Sequence, residues 1–448
     1  MSTLIYWFRN DLRLIDSPAL RQVCEAKYLL AVYVLPPEKV ETCWGFIRMS
    51  ALRRQHLIHT LVALDHELRA LGSQLLVLEG NPVQTLAALV KSTHAYAIVC
   101  EQIAAPEEQE DVAQLKALGI DVREQWQSTM LDPKTLPFTP QSMPDMFTQF
   151  RQKIEVKGLR ARLPLEPPLR LPELPVLPDM SALSASLRFE GLSLERLEQV
   201  AQVNVSATMS ATNNPPCPAG TAQGLRHLDD YFSSEHPHTY KQTRNQLSGE
   251  HFSTGFSIWL ASGALSAPMI VARLSQYESE RGANESTYWI WFELVWRDYF
   301  RFLHLKYGRS LYLRDGLKHG DQLAALPTLA IPNKGIAQKL FQQWTQGQTK
   351  NTLVNAGMNE LRNTGMLSNR MRQIVASYLI YDLKIDWRAG AAWFESQLLD
   401  FDIYSNQGNW LYIAGRGTDP RGGRRMNMEK QTQDHDPEGL YRKQWAHR

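Results

Sequence analysis

Short apolar runs alternate with stretches of helical spacing through the first third of the chain. Thr3 to Phe8, Leu29 to Leu35, Leu75 to Leu78, Ala95 to Cys100 and Asp121 to Trp126 are short and β-prone, the signal for strands. Between the later ones, Met49 to Leu71 repeats leucine at helical spacing, Pro82 at a first-turn position opens another helix, and Glu107 to Leu118 starts acidic and stops before Gly119. Strand and helix in alternation predict a parallel, doubly wound, Rossmann-like sheet over residues 1–131. Residues 132–220 break this pattern, with six prolines in Leu163 to Pro178 and three more in Pro215 to Pro218. Proline continues neither a helix nor a central strand, so the segment reads as a wrapping linker with a short helix near Leu192 to Val200. From Thr221 helical periodicity takes over, and residues 221–448 read as an all-helical domain. The fold class is therefore α/β plus all-α.

Composition narrows the class. A chain of 448 residues exceeds one ordinary core, and 44% hydrophobic residues is normal for globular protein. Cys24, Cys43, Cys100 and Cys217 form neither a C-x-x-C pair nor a disulfide framework, which fits a reducing compartment. The N-terminus enters an apolar strand with no basic leader, and no apolar run reaches the roughly 18 residues of a membrane span, so a soluble, cytoplasmic monomer is expected. Net charge is only +2, with the positive excess in the helical half, which permits a polyanion-binding face without requiring one. No G-x-G-x-x-G follows the first strand, so the sheet carries no dinucleotide signal, and no metal cluster is evident. Arg9, Asp11 and Arg13 read as a salt-bridge cluster at a domain interface.

The stretch from Ser368 to Trp410 stands apart. It interleaves Asn369, Arg370, Arg372, Asp400, Asp402 and Asn406 with Trp387 and Trp410, although charges are buried only when paired and an indole N–H needs a partner. Arg370 and Arg372 cannot both face inward on one helix, because positions two apart diverge by about 200°. Upstream, Glu293, Trp296, Arg297 and Phe300 share a helical face, suited to a flat anionic ligand or to plain core packing with an i,i+4 ion pair. The turn Ser253-Thr254-Gly255-Phe256-Ser257 opens an apolar helix. It reads either as a simple cap or as a pyrophosphate cradle at a helix N-terminus.

Four strings carry a family resemblance: WFRNDLRLIDSPAL (Trp7 to Leu20), ELVWRDYF (Glu293 to Phe300), NELRNTGMLSNRMRQ (Asn359 to Gln373) and LLDFDIYSNQGNW (Leu398 to Trp410). Together they resemble photolyase/cryptochrome flavoproteins, most of all the cryptochrome DASH branch, over almost the whole chain. The resemblance implies FAD in the helical domain and allows a folate antenna, 5,10-methenyltetrahydrofolate, near Glu101 to Glu108. By this resemblance Ser253 to Ser257, Tyr240, Arg297 and Phe300 hold FAD. Arg372 pairs with Asp400 beside the isoalloxazine, Asp402 lies at its pyrimidine edge, and Asn406 faces N5. Asn369, Arg370, Arg244, Glu293, Trp296 and Tyr412 border a pocket for a pyrimidine dimer in single-stranded DNA or RNA, Glu293 and Asn369 also facing the cofactor.

Trp410 and Trp387 resemble the inner members of a tryptophan relay that reduces the flavin, whereas the usual outer tryptophan is replaced by Ile331-Pro-Asn-Lys-Gly. Trp344 is the expected substitute, with a tyrosine such as Tyr378 or Tyr381 as the other candidate. Lys350-Asn351-Thr352 and Asn355 also depart from the family pattern and suggest a remodelled helix start. The implied activity is light-driven repair of cyclobutane pyrimidine dimers. The competing readings are a blue-light photoreceptor and, more weakly, a dark flavin redox protein.

Overall fold

The computed structural model describes residues 3–176, 191–192, 218–249 and 251–446. Five parallel strands, β1 (Thr3–Phe8), β2 (Tyr28–Leu35), β3 (Leu75–Glu79), β4 (Ala97–Glu101) and β5 (Val122–Gln125), lie in the order β5-β4-β1-β2-β3. Every residue of β1 is buried because both sheet faces are covered. Leu4, Tyr6 and Phe8 pack with Leu61, Leu64 and Leu68 of the Ala51–Ala70 helix, and Ile5 and Trp7 with Leu86, Leu89, Val112 and Leu115 of the Pro82–Thr93 and Pro106–Ala117 helices. Strand order reverses between β1 and β4, which opens a crevice at their carboxyl ends.

The proline-rich segment is more structured than its composition suggests. A helix spans Phe147–Val156, and its Phe147, Phe150 and Ile154 enter the core of the helical body. The sequence hides this helix because its apolar positions follow a proline-dotted loop without a side-chain cap. Gly191 and Leu192 add an antiparallel strand, β6, beside β3 where the start of a helix was expected; the rest of that expected helix lies outside the described residues.

The helical body is built around the 23-residue Glu285–Tyr307 helix, which opens with a capping box at Asn284 and Thr287. It is clasped to the α/β layer by fully buried Asp298, which accepts hydrogen bonds from Met130 N (3.2 Å) and Leu131 N (2.9 Å). The expected salt-bridge cluster takes another form. Arg13 donates to the Gly263 carbonyl at 2.8 Å, Leu12 N donates to Ser262 O at 3.1 Å, and Asp11 accepts from Tyr6 and Gln127. Arg13 and Asp11 thus bind backbone and neutral partners, while Arg48 pairs with Glu395 at 2.8 Å across the two layers. Gly263, at φ +77°, is required there, since a methyl group would collide with the Asn10 carbonyl. At the remodelled segment Asn351 caps the Thr352–Thr364 helix, accepting from Val354 N at 3.0 Å, while Asn355 holds the Thr349 N–H and hydroxyl.

Candidate functional site

The Asn369–Ser377 and Ile403–Ala414 helices, with Phe394 of the Trp387–Gln397 helix between them in the chain, enclose a cavity. The Asn369–Ser377 helix starts at its cap Ser368 and contributes Asn369, Arg372, Gln373 and Ala376; the Ile403–Ala414 helix contributes Asn406, Asn409, Trp410 and Ile413; Asp400 to Asp402, which lead into that second helix from the Trp387–Gln397 helix, complete the wall. Arg372 donates to both oxygens of Asp400 at 2.9 and 2.7 Å, and its Nε holds the Leu367 carbonyl. Arg370 turns the other way, to Asn245 Oδ1 at 2.9 Å, so the two arginines serve different partners as their spacing requires. Asp402 caps the Ile403–Ala414 helix through Ser405 N at 2.8 Å and is ion-paired with Arg301. Burial pushes its carboxyl up, but Arg301, Arg297 and the Ser405 N–H outweigh that and hold it down at about 2. Asn406 Nδ2 donates to the Ala391 carbonyl at 3.1 Å, which fixes the amide plane and leaves Oδ1 as its remaining acceptor.

The Ser253 to Ser257 turn precedes the Ser257–Ser262 helix, whose N-terminus has no side-chain cap. Among the described residues no hydroxyl of the turn makes a protein hydrogen bond, and Gly255, at φ +68°, leaves room for the His227 ring that contacts the Thr254 carbonyl. Arg297 is directed elsewhere than toward this turn, donating to Ser128 O (2.5 Å) and Leu260 O (3.5 Å), with Nε unpartnered. Its guanidinium is lowered to about 10, first by burial and then by Arg301 beside it. Phe300, expected at the cofactor, packs on Gly408 behind the cavity, where even a methyl group would strike its ring. Helical spacing aligns Phe300 with Trp296, and both face the second cavity instead.

That second cavity, of about 360 Å³, lies on the opposite side of the Ile403–Ala414 helix and is lined by Trp296, Phe300, Tyr412 and Met146 to Thr148. Trp296 and Tyr412 meet edge to face at 6.1 Å, and Phe147 stacks on Trp296 at 3.6 Å. Glu293 is ion-paired with Arg244; burial raises its carboxyl, with Arg244 opposing. Tyr240 lies beside both, its hydroxyl pushed up by burial and by Glu293.

Arg424 lies over the Tyr412 ring at 4.6 Å and donates to its hydroxyl, and Arg421 lines the same cavity. Arg370 is lowered by burial and by nearby Arg244 and Arg424, and Arg421 is ion-paired with Asp419 at 2.8 Å. Reading of the sequence missed Arg301, Phe147, Arg421 and Arg424. The signals were an arginine one turn after Arg297, and three arginines split by two glycines in Arg421-Gly-Gly-Arg424-Arg425.

The tryptophans are arranged differently from expectation. Trp410 and Trp387 are buried, and Trp387 Nε1 donates to Arg314 O at 3.0 Å. Trp344 is fully buried and edge-on to Trp410 at 6.4 Å, with its Nε1 donating to Val375 O. It therefore neighbours the innermost member and cannot be the solvent-facing end of a relay.

The donor set fits a flavin. A carboxylate–guanidinium pair, an oriented amide and an indole line one cavity, and a separate uncapped turn with unengaged hydroxyls offers N–H groups to phosphates. In the acidic segment, Glu107 is paired with Arg48 at 2.6 Å and the Glu108 carbonyl accepts from Arg9.

Comparison with known proteins accords with this chemistry. Residues 4–172 match the family model described as DNA photolyase, and residues 289–448 the FAD binding domain of DNA photolyase. Cryptochrome DASH of Synechocystis sp. is 39% identical over 99% of this chain and 87% of its own, and that of Xenopus laevis 39% over 99% and 82%. The solved Synechocystis cryptochrome superposes with a TM-score of 0.85 at 36% identity, covering 99% of this chain and 88% of that one. A class III photolyase from Agrobacterium tumefaciens gives 0.78 at 26%, covering 99% and 86%. Among the described residues no helix is long and apolar enough to cross a membrane. Sequence, fold and site chemistry agree: the chain belongs to the photolyase/cryptochrome family of FAD-binding proteins and groups with those named cryptochrome DASH.

Proposed function

We propose that the protein repairs cyclobutane pyrimidine dimers in single-stranded or looped DNA under blue light. Arg372, Asp400, Asp402 and Asn406 would hold FAD, which when reduced and excited would supply the electron that opens the cyclobutane ring and take it back. The observation that carries this reading is the wall shared by two cavities: one helix offers Asn406 and Trp410 on one side and Tyr412, beside Trp296, on the other. Asn406 orients its amide toward the flavin edge, Arg372 and Asp400 fix the ring, and Asp402 stays ionised through Arg301. Glu293, with its carboxyl raised by burial, is suited to hydrogen-bond a base edge. The indole of Trp296 stacks on a base, and Arg244, Arg370, Arg421 and Arg424 engage the backbone. Flipping bases into a cavity costs least where they are already unpaired, which favours single strands, including RNA, over duplex.

The test illuminates the reduced protein with dimer-containing single- and double-stranded oligonucleotides and measures repair of each. Repair of the single strand, with duplex repaired more slowly, is expected. Repair of neither while the flavin stays reduced rejects the reading. A second reading, a photoreceptor with little repair activity, is favoured by one contact: Phe147 already occupies a face of Trp296.

A further inference from the structure

The rings around Trp410 outline an electron route that the usual relay pattern does not contain. Trp410 lines the cavity assigned above to the flavin ring. Its aromatic contacts are Phe394 at 5.1 Å and Trp344 at 6.4 Å; among the described residues no ring contacts that of Trp387. Trp344 stacks with Phe341 at 5.9 Å, Phe341 meets Phe46 at 6.2 Å, and Phe46 meets Trp393 edge-on at 5.1 Å. Phe46 belongs to the loop after β2, so the chain of rings runs from the helical body to the α/β layer. Trp344 is fully buried whereas Trp393 is only partly buried. Gly390, one turn from both Trp387 and Trp393, is where the Trp410 ring tip packs, and a methyl group there would collide with it.

Indole is among the most readily oxidised side chains, while phenyl rings are too hard to oxidise and serve only to fill the gap with bonded, packed matter. An oxidised site on Trp410 is therefore passed to Trp344, its one indole contact among the described residues. From a fully buried indole the charge returns unless a second indole nearer the surface can give it an electron.

We propose a second electron route out of the flavin cavity, from Trp410 to Trp344 and across Phe341 and Phe46 to Trp393, parallel to Trp387. One electron enters the excited oxidised flavin from Trp410; Trp344 restores Trp410, Trp393 restores Trp344, and an exogenous thiol, going to its disulfide, restores Trp393. The Trp344 N–H is held by a carbonyl that cannot take its proton, and Trp393 Nε1 is buried without a partner. The oxidised indole consequently stays protonated, as a radical cation, during the transfer. This inference rests on the reading of the protein as a light-driven FAD protein.

Flash photolysis of the oxidised holoprotein with a thiol present tests it, in W344F, W393F, W387F, the W344F/W387F pair and W410F. Parallel routes predict that W344F and W387F each keep a substantial part of the long-lived charge separation, and that the pair loses tenfold or more. W393F should keep the initial amplitude but shorten its lifetime about tenfold. Absorption of a tryptophan radical cation, rather than the deprotonated radical, should persist until thiol reduction. After prolonged illumination without thiol, peptide mass spectrometry should find oxidised Trp393. Flavin content and thermal unfolding verify folding, and W344Y, with an oxidisable ring, should recover part of the loss. Wild-type behaviour of W344F and W393F, with W387F alone abolishing charge separation, overturns the route. Wild-type behaviour of W410F overturns the light-driven reading itself, a separate outcome.

Discussion

Replacing Asp402 by Asn removes one charge from the centre of the site and little else. Asparagine is as good a helix cap as aspartate, so the hydrogen bond from Ser405 N survives. The loss falls on Arg301, whose side chain is 3% exposed and whose ion-pair partner among the described residues is Asp402, itself 13% exposed. An unpaired charge at such depth costs about 3–5 kcal/mol. The titration of Asp402 gives a second handle: its carboxyl lies at about 2 where 3.8 is ordinary, worth about 2.5 kcal/mol in favour of the folded state at neutral pH. Because the folded value is the lower one, that contribution is complete above pH 4 and disappears as pH falls toward 2. Urea unfolding of flavin-free protein at pH 7, followed by circular dichroism, should show D402N less stable by about 3–5 kcal/mol. The R301M/D402N pair should recover at least about 1 kcal/mol of that, since the uncompensated charge is gone. A D402N cost below about 1 kcal/mol, or a double variant as costly as both singles combined, would refute the argument.

Three further outcomes follow from the same geometry. R372Q leaves Asp400 buried without its guanidinium and should weaken FAD binding at least tenfold by fluorescence titration; unchanged affinity would place the pair outside the cofactor's reach. W296A removes a stacking surface worth roughly 1–3 kcal/mol per base, so binding of dimer-containing single strands should fall about fivefold or more with FAD retained, and equal affinity would count against a repair pocket. R424Q should lower the slope of log affinity against log salt by about 0.7 for single strands, the share of one phosphate contact; an unchanged slope would take Arg424 off the nucleic-acid path.

The features legible in the sequence were those set by local chemistry. Strands and helices of the α/β layer announced themselves because each must be apolar on buried faces, and Pro82 marked a helix start by residue type alone. The divergence of Arg370 and Arg372 followed from the pitch of a helix. Contacts made between distant segments stayed hidden. Nothing in the string ELVWRDYF says that Asp298 clasps Met130 and Leu131, or that Phe300 faces away from the cofactor cavity, because both depend on how one helix is rotated against neighbours more than 100 residues away. Trp344 was misplaced for the same reason: its position between Trp296 and Trp387 in the chain carries no information about depth, which is set by the packing of Phe341 and Phe394 around it.

The Ile403–Ala414 helix explains how the cavity proposed for the flavin and the one proposed for the substrate come to share residues of the string Leu398 to Tyr412. Its cap Asp402 is tied to Arg301 on the Glu285–Tyr307 helix, and Gly408 lets the Phe300 ring press directly on its backbone. These two contacts, six residues apart, fix both the axial position and the rotation of the helix. With rotation fixed, Asn406 and Trp410 must face one cavity while Leu411 and Tyr412 face the other. The separation between the two cavities is then no more than the thickness of one helix, about 10 Å across with its side chains, and it is held by an ion pair to Arg301 and by a glycine under the Phe300 ring.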